Sequence, residues 1–340
     1  MIPIFAYRKL LKSLQEHRLV ESEIGTMYQT VMAQKYRRPW PRINSVQYAR
    51  KNFFSTLFLA IYRALEIPPE RRLFYGVINH CLRGLVTGTD NLLDNEYKEM
   101  LPLNFPDSAI RFKSVMHILL FDRFMFRAIE RLVPEIGNQW AQQLHDQLFK
   151  ALVPIGAEEA MEEGGVETVI SPADILSSVH MYKGGKLLCL AFIAPLLLEK
   201  ERQDTLSLAD QGIFSIGLAL QVIDDITDFY EDINNRNHNY LVSSIYFKGA
   251  NYERQRLADT LAQRSATGPA VEKIYPHSLG WVMEEAIGEA VKGFSLLEQA
   301  GFWLDRHRAF GLIRHLFYLR GVKRLLPFFP KENQITRSLS

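Results

Sequence analysis

Apolar residues recur at i, i+3, i+4 and i+7 through almost the whole of this chain, and no run alternates apolar and polar residues as a half-buried strand would. The pattern predicts helices over 45–67, 71–97, 108–133, 140–153, 173–200, 208–233, 253–266, 278–300 and 308–326. The breaks between them fit helix ends: Pro68–Pro69, Pro102 to Pro106, Gly164–Gly165 and Gly268–Pro269. The basic turn RRPWPR, 37–42, reads as a solvated connection before the first long helix. No linker, repeat or low-complexity segment divides the chain, so a single all-α domain over 1–340 is expected. Several helices are apolar most of the way round, which implies a buried central set. Functional sites in such bundles form from side chains on facing helices.

Composition narrows the function classes. The formal net charge of +2 gives no electrostatic case for a nucleic-acid binder. Cys81 and Cys189 lie far apart and make neither a metal-type pair nor a disulfide framework, so a reducing cytoplasm is the expected location. The first residues, MIPIFAYRKLLKSLQEHRL, lack a signal peptide's long apolar core. The longest apolar run, LLCLAFIAPLLL, is shorter than the roughly 20 residues of a membrane span and contains Pro195. It is expected to be a buried helix, with no membrane span.

Against this apolar background, residues 217–232 read GLALQVIDDITDFYED. Asp224 and Asp228, four apart, share a helix face. Asp225 lies about 100° round, and Gln221 one turn back. Like charges so spaced cost a few tenths of a kcal/mol even in water, and more beside Leu218, Leu220, Val222 and Ile223 unless cations neutralise them. A second cluster, DNLLDNE at 90–96, repeats the arrangement with Asp90 and Asp94 on one face and Asn91 and Glu96 nearby. Either cluster alone reads equally well as a solvated helix end. Two of them, each ending a long apolar helix, suggest facing carboxylate pairs. Carboxylate oxygens with no cysteine and little histidine suit Mg²⁺ or Mn²⁺, and the Glu-x-x-His pairs of a di-iron bundle are absent.

Mg²⁺ completes its octahedron with water and phosphate, so the expected ligand is phosphorylated and basic residues should accompany the acids. Lys183, in HMYKGGKLL, is one such residue, though it also reads as an ordinary surface lysine. Its neighbours Gly184 and Gly185 each cost roughly 1 kcal/mol in mid-helix, which marks a break or a close backbone approach.

At this point the residues resemble a known family. GLALQVIDDITD resembles the G-x-x-x-Q-x-x-D-D-x-x-D second aspartate-rich motif of trans-isoprenyl (polyprenyl) diphosphate synthases. DNLLD resembles their first motif, D-D-x-x-D, with Asn91 in place of the second aspartate. The order of first motif, lysine helix and second motif also agrees. The resemblance implies the all-α isoprenoid synthase bundle around a central cavity, shared with terpene synthases. It implies that Asp90, Asp94 and Asp224 bind three Mg²⁺, that Asp228 and Asp225 hold metal or its waters, and that Gln221 lies beside them. Lys183 and Lys248 would contact the allylic diphosphate, with Arg236 as a further candidate. It also implies a homodimer. Ionising an allylic diphosphate yields a carbocation that apolar and aromatic walls must keep from water.

The second, basic site for isopentenyl diphosphate is thinned. Lys51 falls where the family lysine is expected, but Asn52 and Phe54 replace arginines. Arg83 precedes Asp90 by seven residues, and Lys98 replaces the arginine pair after the first motif. If these three bind isopentenyl diphosphate, the product is a longer linear prenyl diphosphate. Otherwise the cation closes on itself and the protein is a terpene synthase on a prenyltransferase scaffold. The motif usual for cyclases is not visible, which favours elongation. The small Leu85 and Val86, where short-chain enzymes carry aromatics, suggest products of C15 to C20 or longer. A non-catalytic partner subunit or a purely structural bundle would be expected to lose the acid motifs.

Overall fold

A computed structural model of the protein describes residues 4–94 and 96–332. The described residues are all-α. They form α1 (Ile4–Val31), α2 (Ser45–Lys51), α3 (Phe53–Ala64), α4 (Pro69–Leu93), α5 (Ile110–Ile136), α6 (Asn138–Glu162), α7 (Pro172–Ser177), α8 (Leu187–Leu198), α9 (Gln203–Thr227), α10 (Phe229–Asn235), α11 (Tyr240–Lys248), α12 (Asn251–Gln263), α13 (Val271–Ile274), α14 (Pro276–Gln299) and α15 (Arg306–Leu319), with short 3₁₀ turns and one π-helical turn at Met181–Lys186. Among them the only extended pairing is a single bridge between Arg37 and Leu103, which ties the basic 37–42 connection to the chain after α4.

Helix α1 precedes the first helix expected from the sequence. Its buried face runs Ser13, His17, Val20, Ile24, Met27 and Tyr28, and the polar first half of that face hides the periodicity. The expected 45–67 helix breaks at Asn52, and the expected 208–233 helix breaks at Asp228. The 173–200 stretch is interrupted by the π turn at the two glycines.

The chain forms two compact units. One comprises residues 4–149 with Leu190–Arg202, and holds the first acid motif on α4. Its core contains Tyr62, Tyr75, Phe121, Phe124 and Phe192, all essentially inaccessible. Each such side chain contributes about 1.5–3 kcal/mol of burial energy. Helices α4 and α5 approach closely because Gly84 faces Phe121 and Gly88 faces Ile118; a Cβ at Gly84 would lie 2.1 Å from the Phe121 ring.

The other unit comprises Lys150–Cys189 and the chain from Gln203 onward, and holds the second motif. Helix α9 is its axis. It packs on α14 where Gly212 meets Gly293, and on the π turn where Gly217 meets Gly184. A Cβ on any of these four glycines would lie 2.3–2.7 Å from the facing backbone oxygen. The pair KGGK therefore marks both a helical irregularity and a close backbone approach. By length and composition alone, Pro172–Leu198 and Lys200–Thr227 could each cross a membrane, but half of each apolar window is buried within the folded chain.

Candidate active site

In the second-motif unit, α9 ends at Thr227 and Asp228 caps α10. The Asp228 N–H donates to Asp224 O (2.8 Å), and the Thr227 hydroxyl donates to Asp228 Oδ1 (3.0 Å). Asp224 and Asp228 both reach solvent, while Asp225 is 3% exposed. The three aspartates thus divide into an outward pair and an inward member.

Asp225 is saturated by protein donors. Its Oδ2 lies 2.9 Å from His180 Nε2 and accepts the Tyr240 N–H (2.5 Å), and its Oδ1 accepts Gln221 Nε2 (3.3 Å). The Asn239 side chain bonds Asp225 O and Asp232 Oδ2, both at 2.7 Å, and caps α11 by accepting the Val242 N–H. Asp225 therefore ties α9 to His180, which caps the π turn, and to α11, and Gln221 bonds it from one turn back on α9. Burial, then the charge of Asp225, raises the Asp232 carboxyl above the usual carboxylate range.

Asp224 reaches solvent yet is closely surrounded by protein. That desolvation, opposed by Arg320 and reinforced by Asp228 and Asp225, pushes its carboxyl up to about 6. Arg320, which caps α15, is the cation that sequence reasoning missed. It lies in a helical tail that carries no acid-motif signal.

Lys183 projects from the π turn and is 11% exposed. Its ammonium lies 2.6 Å from Glu162 Oε2 and 2.8 Å from Glu159 Oε2 of α6. Burial works against its charge, but the two carboxylates outweigh that and hold it above the ordinary lysine range. These glutamates were not singled out from the sequence. Their signal was the acidic run EEAMEE, which places 159 and 162 three apart on one face.

The other two nominated cations lie elsewhere in this unit. Lys248 ends α11 and sits 4.2 Å from the Trp281 ring centroid on α14. Arg236 caps α10 in the left-handed conformation, at φ 61°, and packs over Gly165. Its guanidinium donates to Gly164 O and its carbonyl accepts the Val166 N–H (2.7 Å), so it braces the loop after α6. Neither bond involves the aspartates.

In the first-motif unit, Asp90 lies in the last turn of α4 and Asp94 caps it. Asn91 is 1% exposed and clamps the Lys98 backbone: Nδ2 donates to Lys98 O (3.2 Å) and Oδ1 accepts the Lys98 N–H (2.8 Å). The asparagine thus shapes the loop that follows. The Lys98 ammonium pairs with Glu96 (3.0 Å); that hydrogen bond, against partial burial and with help from Asp90 and Asp94, raises its pKa.

Lys51 and Arg83 are brought together. Arg83 donates to Lys51 O (3.0 Å) and to Asn52 Oδ1 (2.9 Å). Burial and the Arg83 charge lower the Lys51 pKa. Behind them lie His17 and His80, their rings 5.8 Å apart. Burial, with the nearby cations, holds His17 down to about 3 and His80 well below its ordinary value. Sequence reasoning missed both. His80 stands three residues before Arg83, a spacing that could have flagged it.

No protein-family model matches the chain, and no curated protein matches it. Solved structures do. A decaprenyl diphosphate synthase from Rhodobacter capsulatus superposes with a TM-score of 0.57 at 14% identity, covering 88% of this chain and 98% of that one. A geranylgeranyl pyrophosphate synthetase from the archaeon Geoglobus acetivorans gives 0.53 at 16% identity, covering 84% and 97%. A polyprenyl synthetase from Streptomyces coelicolor A3(2) gives 0.52 at 17% identity, covering 96% of each chain. The chain has the fold of the trans-isoprenyl diphosphate synthases.

Within this isoprenyl synthase fold, the outward carboxylates are a hard, all-oxygen donor set of the kind Mg²⁺ takes. Among the described residues no group of three or more His, Cys, Asp or Glu is assembled to hold a metal alone. A cation beside Asp224 would offset the desolvation, and the smaller repulsion from Asp228 and Asp225, that raise its carboxyl.

Proposed function

We propose that this protein is a Mg²⁺-dependent prenyltransferase that ionises an allylic prenyl diphosphate and joins it to isopentenyl diphosphate, giving a linear product of C15 to C20 or longer. The observation that carries the proposal is the second motif: two aspartates four residues apart turned outward, the third locked inward, beside a lysine-bearing turn packed glycine to glycine on the same helix. The proposal assigns Asp90, Asp94, Asp224 and Asp228 to Mg²⁺, and Lys183 to the diphosphate. Bound Mg²⁺ supplies electrostatic stabilisation of the departing diphosphate. Lys183 orients the leaving group, while Asp225 and Gln221 fix the helix end that presents Asp224 and Asp228. Lys248 and Arg236 have structural partners and are given no direct part.

Chain elongation is favoured over cyclisation because Lys51 and Arg83 form one basic cluster, with buried neutral histidines behind it. The chain-length part of the proposal rests on the small side chains of Leu85 and Val86, which are part-exposed on α4. An exposed apolar stripe on α5, Phe112, Val115, Leu119 and Phe126, supports a homodimer.

The deciding experiment incubates purified protein with Mg²⁺, geranyl, farnesyl or geranylgeranyl diphosphate, and labelled isopentenyl diphosphate. A labelled, longer prenyl diphosphate is expected. Release of diphosphate with an unlabelled hydrocarbon would instead establish cyclisation, and no turnover of any allylic diphosphate would overturn the proposal. Asp90→Ala and Asp224→Ala are each expected to abolish turnover with the far-UV circular dichroism unchanged.

A further inference from the structure

Lys183 is over-neutralised: one ammonium faces two carboxylates, leaving the cluster with a net charge of −1 before any ligand arrives. With two of its three N–H donors taken and its charge outweighed, this ammonium offers a diphosphate little attraction until it gives up a partner. The two partners are not equivalent. Glu162 is 6% exposed in its side chain, and its Oε1 also accepts the His238 N–H (3.3 Å). Glu159 is 37% exposed and has no second anchor among the described residues. Releasing a half-exposed carboxylate into water costs little, because water re-solvates it. Releasing a buried one leaves an unpaired charge in the interior, which is strongly unfavourable.

Resting on the prenyl-transfer reading above, we infer that Glu159 and Glu162 divide the work of holding Lys183: Glu159 is a displaceable stand-in for the diphosphate, and Glu162 is a permanent positioning residue that keeps the ammonium aimed while the exchange occurs. The two glutamates lie on one face of α6, three residues apart, so Lys183 can leave the outer carboxylate without leaving the inner one. The exchange forms and breaks only ionic hydrogen bonds and moves no proton.

The test titrates inorganic diphosphate with Mg²⁺ into the wild type and into Glu159→Gln, Glu162→Gln and Lys183→Met by calorimetry, and measures kcat and KM for the allylic substrate alongside. Glu159→Gln is expected to tighten diphosphate binding by about fivefold, the effect of deleting one partly screened like charge, and to lower KM for the allylic substrate. Glu162→Gln is expected to lower kcat instead, because the ammonium loses its fixed aim. A Glu159→Gln protein that binds diphosphate no more tightly than the wild type would overturn the inference, as would two glutamine variants that shift the same constant in the same direction. Glu159→Gln is at a partly exposed site, so the test does not hang on the folding of the Glu162 variant. Failure of the prenyl-transfer reading looks different: the wild type then binds no diphosphate and Lys183→Met changes nothing.

Discussion

Two residues within the acid motifs carry roles that their motif positions do not announce. Asp225 spends its carboxylate on His180, Tyr240 and Gln221. Asp225→Ala should therefore behave as a stability variant, losing about 2–4 kcal/mol because several buried donors are left unpaired; urea denaturation measures it. Asp224 should behave in the opposite way. Its carboxyl titrates near 6 in the folded chain, against 3.8 for an unperturbed aspartate, so the folded state holds the extra proton between those values. By linkage its contribution to stability is present below about pH 4 and is lost as pH rises through about 6. Because Asp224 reaches solvent, screening leaves only about 1 kcal/mol of this effect. Asp224→Asn should thus melt about 1–2 °C higher than the wild type at pH 7.5 without divalent cations, and level with it at pH 4. Thermal scans across pH test this, and Mg²⁺ should stabilise only the wild type. The acid positions were legible in the sequence because four-residue spacing fixes a shared face. Which aspartate turns inward was not, since that depends on the donors brought by the π turn and α11.

At the scale of the helix, α9 is positioned by glycine. Gly217→Ala would put a methyl group 2.3 Å from Gly184 O, and backbone cannot yield as a flexible side chain does. A loss of about 1–3 kcal/mol is expected, with turnover falling too because the Lys183 turn moves. Gly288, inside α14, provides the contrast, for a Cβ there meets nothing within 4 Å. Gly288→Ala should stabilise by about 0.5–1 kcal/mol through helix propensity. Chemical denaturation of the two variants should give shifts of opposite sign. The KGGK interruption was legible because paired glycines are costly in a helix. Helix α1 was not, because Ser13 and His17 sit on its buried face where apolar residues would have signalled it. The break at Asn52 was hidden too: an asparagine after the basic pair Arg50–Lys51 looks like one more exposed turn of a continuous helix.

For the molecule as a whole, periodicity was enough to define an all-α chain, because nearly every stretch repeats on the same 3.6-residue period. The division into two compact units was not visible, since helices α6 and α8 each pass from one unit into the other with no linker to mark the boundary. Self-association can be tested on the α5 stripe. Leu119 is 58% exposed and has no structural task that requires an apolar side chain in a monomer. Leu119→Glu should convert a dimer into a monomer, read by light scattering after size exclusion, with helix content unchanged. A wild type that is already monomeric would remove the dimer from the proposal.

The π turn at Met181–Lys186 has one more implication. In an ordinary helix Lys183 and Lys186, three apart, would point the same way. Here Lys183 reaches the α6 glutamates while Lys186 lies 5.6 Å from the Phe214 ring on α9. The wider coil acts as a swivel that sends two neighbouring ammonium groups to separate addresses. Shortening it by a single residue would turn everything upstream by about 100° and swing Lys183 away from its glutamates, with no change in the side chains present.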